Sequence, residues 1–182
     1  FGIRQKLALI FFLFFLIFTG TIFMLILDVR QMMHTTTNIV TRNNKVDTLC
    51  NKLQTALQDM DTSSRKLSIL NNPQYAIYFT ESVEVFEKTL KELIQLIPGK
   101  SEESLLWQEF NFSYQRHRQG MWDNPKDKEF GRQWVNEQIV RKWDGIIKKG
   151  RLENQHRTET ALALEQERGS RIARKGLLGA AI

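Results

Sequence analysis

The chain has 182 residues, a net charge of +6, one cysteine and three prolines, a length that points to one main domain. Its lone Cys50 excludes an intrachain disulfide and offers no metal cluster; it reads as a small apolar residue on a helix face. The surplus of Lys and Arg is interspersed with Glu and Asp along most of the chain, as on solvated helix faces, so no nucleic-acid partner is expected.

From Leu7 to Leu27 there is no charge, Pro, Asn or Gln, and only Thr19, Gly20 and Thr21 interrupt the large apolar residues. About 21 residues at 1.5 Å each make roughly 31 Å of helix, the thickness of a bilayer's hydrocarbon. The block is apolar on all sides rather than striped, which marks a span and not a core helix. A removable signal peptide is the competing reading, given Arg4 and Lys6 before the block. The run is too long for that, and no A-x-A-like site follows it. Residues 1–6 are therefore expected to be a cytoplasmic N-terminus and 7–27 a first transmembrane helix in a bacterial inner membrane. Gly20 offers only an incomplete small-residue packing motif. The chain opens on Phe1 instead of Met and is expected to be a trimmed or internal piece.

Residues 28–175 are read as an extracytoplasmic helical domain. Val46, Leu49, Leu53, Ala56, Met60, Ser63, Leu67 and Leu70 recur at 3-4 spacing, so the first helix should run on from the membrane to about Leu70. "LNNPQY" ends it, with Asn72 as the cap of a second helix and Pro73 in its first position. Tyr75, Phe79, Val83, Phe86, Leu90, Leu93 and Ile97 form the second helix's stripe. "IPGKSEE" stops that helix, and Ser101 caps a third, striped by Leu105, Leu106, Phe110, Tyr114 and His117. "WDNPKD" starts a fourth, with Phe130, Trp134, Ile139, Trp143, Ile146 and Ile147 on its apolar face.

The expected lengths outside the membrane, about 43, 24, 20 and 50 residues, make the outer pair much longer than the inner pair. The fold expected is all-α: a transmembrane helix followed by an up-down-up-down four-helix bundle, its long first and fourth helices forming a membrane-proximal stalk. Ala161, Leu162, Ala163 and Leu164 are the clearest apolar residues of that stalk, too few for two helices alone. A parallel homodimer is the economical remedy. Arg168, Arg171, Arg174 and Lys175 then cluster where phospholipid headgroups would lie, and residues 176–182, "GLLGAAI", read as the truncated start of a second span.

No catalytic or cofactor motif occurs, and His34, His117 and His156 fall on three different helices, so no catalytic residue, cofactor or metal is expected. Aromatic residues are dense between 107 and 143. Trp107, Tyr114, Trp122 and Trp134, with Arg116 and Arg118 among them, are the candidate walls of a recess for an anionic or ring-bearing ligand. The plainer reading makes the rings core and leaves the arginines solvated. Gly145 and Gly150 in the fourth helix are candidate soft points or packing positions.

The layout resembles the sensor end of bacterial transmembrane receptors. "IRQKLALIFFLFFLIFTGTIFMLILDVRQM" at the start, a helical extracytoplasmic region, and "RIARKGLLGAAI" entering a second span carry that resemblance, which is one of architecture across the whole chain. The families are the sensor histidine kinases and the methyl-accepting chemotaxis proteins with four-helix-bundle periplasmic domains. The resemblance implies a small-molecule or protein stimulus, and a signal passed through the bilayer by helix displacement. It also implies a HAMP-type linker and a kinase or chemotaxis output beyond this chain, the full-length parent being a histidine protein kinase in the favoured reading. A chemoreceptor shares this half. A membrane-anchored structural or adaptor coiled coil, with no second span and no ligand effect, is the reading from a different class.

Overall fold

A computed structural model describes residues 2–97, 99, 101–122 and 137–179, the side chains of 120–122, 173 and 175–179 excepted. Four α-helices occupy the described residues: α1 (Ile3–Leu70), α2 (Gln74–Leu96), α3 (Glu102–Trp122) and α4 (Glu137–Gly179). The long first and fourth helices pack, as the spacing of apolar residues predicts. The chain divides into two compact units. One is Arg42–Arg157; the other joins Phe1–Thr41 to Thr158–Ile182.

The helix boundaries follow from local chemistry. After α1, Asn71 takes the left-handed conformation with φ 50°, which Asn tolerates better than most residues, and its N–H returns to the Leu67 carbonyl. The Asn72 side chain accepts the Gln74 N–H at 3.0 Å, while Pro73 lies in the helical region ahead of α2. Ser101 Oγ accepts the Ser104 N–H at 3.2 Å, and Glu102 and Glu103 stand in the first turn of α3, where the helix dipole favours negative charge. The expected cap at 123–127 and the start of the fourth helix lie outside the described residues.

In the 42–157 unit all four helices contribute to one core. From α1 come Val46, Leu49, Cys50, Leu53, Ala56, Leu57 and Met60; from α2, Phe79, Val83, Phe86, Leu90 and Leu93, with Ile97 just beyond its end. Trp107, Phe110 and Tyr114 enter from α3, and Trp143 and Ile147 from α4. Burying each large apolar side chain contributes roughly 1.5–3 kcal/mol. The two stripes on α1 and α2 are thus where their periodicity placed them. The α1 stripe closes earlier than expected, since Leu67 is half-buried and Leu70 exposed. On α3 the expectation is corrected at one position: Leu105 is 51% exposed and Trp107 fully buried. Burial of Glu103 and Ser104 rotates the inner face by one residue. Phe130 and Trp134 lie outside the described residues.

The other unit is built on different terms. Every residue from Leu7 to Leu27 is exposed, and this part of α1 is long and apolar enough to cross a membrane. Thr19 and Thr21 return their hydroxyls to the Phe15 and Ile17 carbonyls at 2.8 Å, so neither hydroxyl is left unpaired on an otherwise apolar surface. A Cβ at Gly20 would meet nothing within 4 Å. Farther along, Ala161 and Leu162 are half-buried, and Ala163 and Leu164 are exposed.

Candidate functional site

The described aromatic residues of α2, α3 and α4 form one connected cluster. Phe86 lies 5.0 Å from Tyr114 and stacks on Trp143 at 6.3 Å. Phe110 meets Phe86, Trp107 and Trp143 edge-on at 6.0–6.2 Å, and His117 stands edge-on to Trp143 at 5.3 Å. Such edge and tilted contacts add to the stabilisation from buried area. Trp107 and Tyr114, both candidate walls of a recess, have no exposed surface; their rings meet protein on all sides. The side chains of Trp122 and Trp134 lie outside those described.

The two candidate arginines sit on the outer side of this cluster. Arg116 is exposed, and its guanidinium lies over the Phe112 ring, 4.7 Å from the centroid. Arg118 pairs with Glu87 at 3.0 Å, and Glu87 also accepts the Tyr114 hydroxyl at 2.9 Å. Burial, and next the Glu87 charge, raise the Tyr114 pKa well above its ordinary value, so Tyr114 stays a neutral donor. Burial holds His117 below the usual histidine range.

A second set of polar side chains joins α1 to α4 inside the same unit, and no sequence motif announced it. Gln54 donates to Asp144 at 2.8 Å. Arg151 donates to Asn51 and lies 3.4 Å from Asp47. Asn154 donates to the side chain of Asn43. These pairs step in opposite directions along two antiparallel helices. Beside them Arg157 reaches Glu103 of α3 at 3.0 Å, where the carboxylate is only 2% exposed. Cys50 lies within this layer, its thiol pushed up to about 12 chiefly by burial, with Arg151 opposing the shift.

Gly150 completes the layer. A Cβ there would stand 2.3 Å from the Trp107 ring, so the indole lies directly on the α4 backbone and only glycine admits it. Of the two glycines read as soft points, Gly150 is a packing position. A Cβ at Gly145 would meet nothing within 4 Å. The signal that could have found the pairing is the coincidence of a large ring on α3 with a glycine on the apolar side of α4, but both are legible only once the register is known.

An open groove of about 530 Å³ runs between α1 and α2 in this unit, its lining including Thr48, Lys52, Thr55, Asp59, Glu81 and Val85. No family model, curated protein or solved structure matches the chain.

Proposed function

We propose that this chain is the sensing and signal-relaying part of a bacterial two-component sensor histidine kinase, its 28–175 region lying outside the inner membrane. One observation carries the reading: α1 is a single helix, Ile3–Leu70, whose first part is a wholly exposed apolar block and whose later part supplies the core of a four-helix unit. A change of packing in that unit acts on the same hydrogen-bonded rod that would cross the bilayer. Helix displacements of about 1–2 Å are usual for switches of this kind.

In this reading the stimulus, a small anionic molecule or a partner protein, meets the bundle at Arg116 and Arg118. Trp107 and Tyr114 act from beneath as the packed support; the side chains of the other two candidates, Trp122 and Trp134, lie outside those described. A ligand shifts the equilibrium only by its differential affinity for two packings of α4 against α1. The Arg118–Glu87–Tyr114 group offers such a difference, because an anion that takes Arg118 away from Glu87 alters a hydrogen bond to a core ring. The chain works as a parallel homodimer, and residues 176–182 begin the second span.

The test is topology. Reporter fusions after residue 100 and beyond residue 182 of the parent protein should report outside and cytoplasm respectively. If both report outside, there is no second span to carry a signal inward, and an anchored adaptor replaces the receptor. Replacing Arg116 and Arg118 together by Ala should abolish signalling while helical circular dichroism is unchanged; retained signalling would remove the ligand site from this surface.

A further inference from the structure

The exposed apolar block of α1 ends at Leu27, and a cleft opens at the next residue. Its α1 wall is Asp28, Gln31 and Thr35; its α4 wall is Glu165 and Arg168; its volume is about 200 Å³. The two helices touch here, since a Cβ on Gly169 would stand 3.0 Å from the end of Met32. That contact and the antiparallel course of the walls place Arg171 and Arg174 nearer still to the apolar block. Both are exposed. From Asp28 to Thr35 is about 10 Å of helix, slightly more than the roughly 5–8 Å headgroup layer on each side of a bilayer.

The chemistry of the cleft is mixed rather than uniformly basic. Asp28 makes no ion pair among the described residues. Glu165 is mostly covered and held by Arg168 at 3.5 Å, and Arg171 is held by Glu167 of its own helix at 3.1 Å. Exposed pairs of this kind contribute little, so either guanidinium can turn to a phosphate, which it binds through paired N–H donors. A purely anionic headgroup would leave the Asp28 carboxylate facing like charge. A choline headgroup has no N–H to give it. A primary ammonium has three.

We propose that this cleft seats a phosphoethanolamine lipid headgroup, its ammonium on Asp28 and its phosphate on Arg168 with Arg171 alongside. The assignment rests on residues 7–27 spanning the bilayer, and two measurements separate the two claims. Carbonate extraction of membranes reports the span: the chain should stay in the membrane fraction, and its release would overturn both. Native mass spectrometry of the detergent-purified chain reports the headgroup, with phosphatidylethanolamine, phosphatidylcholine and phosphatidylglycerol added in turn. Phosphatidylethanolamine should be retained best. Asp28→Asn and Arg168→Gln should each weaken that retention roughly tenfold, the loss of one charge-assisted hydrogen bond. Binding set by net charge alone would move the two variants in opposite directions. That result, or equal retention of the three lipids by a chain that stays in the membrane, would overturn the headgroup site and leave the span standing.

Discussion

Val46, Leu49, Leu53 and Met60 of α1 are almost completely buried, whereas Phe11, Phe14 and Phe18 of the same helix keep more than 60% of their surface. The first group repeats at heptad spacing with polar residues between; the second has no polar side at all. One helix thus carries two kinds of apolar surface, one covered by three neighbouring helices and one that no described helix covers and that is apolar enough to cross a membrane. The difference teaches that hydrophobicity along a helix says little until its angular distribution is read. A similar contrast separates the glycines of α4. Gly150 lies under a rigid indole, while Gly169 meets only the flexible end of Met32.

The comparison can be broken most forcefully at Trp107. Trp107→Ala should cost about 3–5 kcal/mol, measured by thermal unfolding of the helical signal in detergent, whereas truncating Phe14 should leave that transition in place. A smaller effect at Trp107 would mean that the aromatic cluster is not the centre of the core. Next come the glycines. Gly150→Ala should destabilise by about 1–3 kcal/mol through overpacking, and Gly145→Ala should stabilise by up to about 1 kcal/mol through helix propensity alone. Gly169→Ala should be neutral or slightly stabilising, because a methionine end moves aside at little cost. Equal losses at Gly150 and Gly169 would remove the distinction between the units.

A third test uses pH. The folded state holds His117 below its ordinary pKa of 6.5, so the unfolded chain binds its proton first as pH falls. The contribution of His117 is complete above about pH 6.5 and is lost as pH drops through that value towards the lower folded one. The melting temperature of the wild type should therefore decline more steeply below pH 6.5 than that of His117→Asn. Parallel declines would assign the acid sensitivity elsewhere. The smallest effect in stability, though a large one in rate, concerns Cys50. With its thiol at about 12 and fully buried, the folded bundle should react with a thiol reagent roughly a thousandfold more slowly than the unfolded chain. Fast labelling would show that this layer opens readily.

Much of the architecture was legible because it depends on repetition. The stripes of α1 and α2 and the caps Asn72 and Ser101 are local patterns that the structure reproduces. The inner face of α3 was harder to read, since Leu105, Leu106, Trp107 and Phe112 spread apolar surface around the helix. One turn before Trp107 on the same inner face stands Glu103, buried and paired with Arg157, 54 residues away. A charged residue in a core cannot be inferred from hydropathy. Of the candidate site, the pairing of Arg118 with Glu87 and the Asn43, Asp47, Asn51 and Gln54 series depends on register between helices, which no single stretch encodes.

That series has a mechanical corollary. Its members recur at intervals of one helical turn, so an α4 sliding by about 5.4 Å would move Arg151 from its present partners, Asp47 and Asn51, to the next pair along, Asn43 with Asp47 or Asn51 with Gln54. The joint between α1 and α4 thus presents a polar side chain at each turn. The joint between α3 and α4 is keyed: one turn on either side of Gly150 stand Ile146, Ile147 and Asn154, none of which leaves room for an indole. A slide of α4 within the bundle would therefore be expected to take α3 with it and to place the slip on α1.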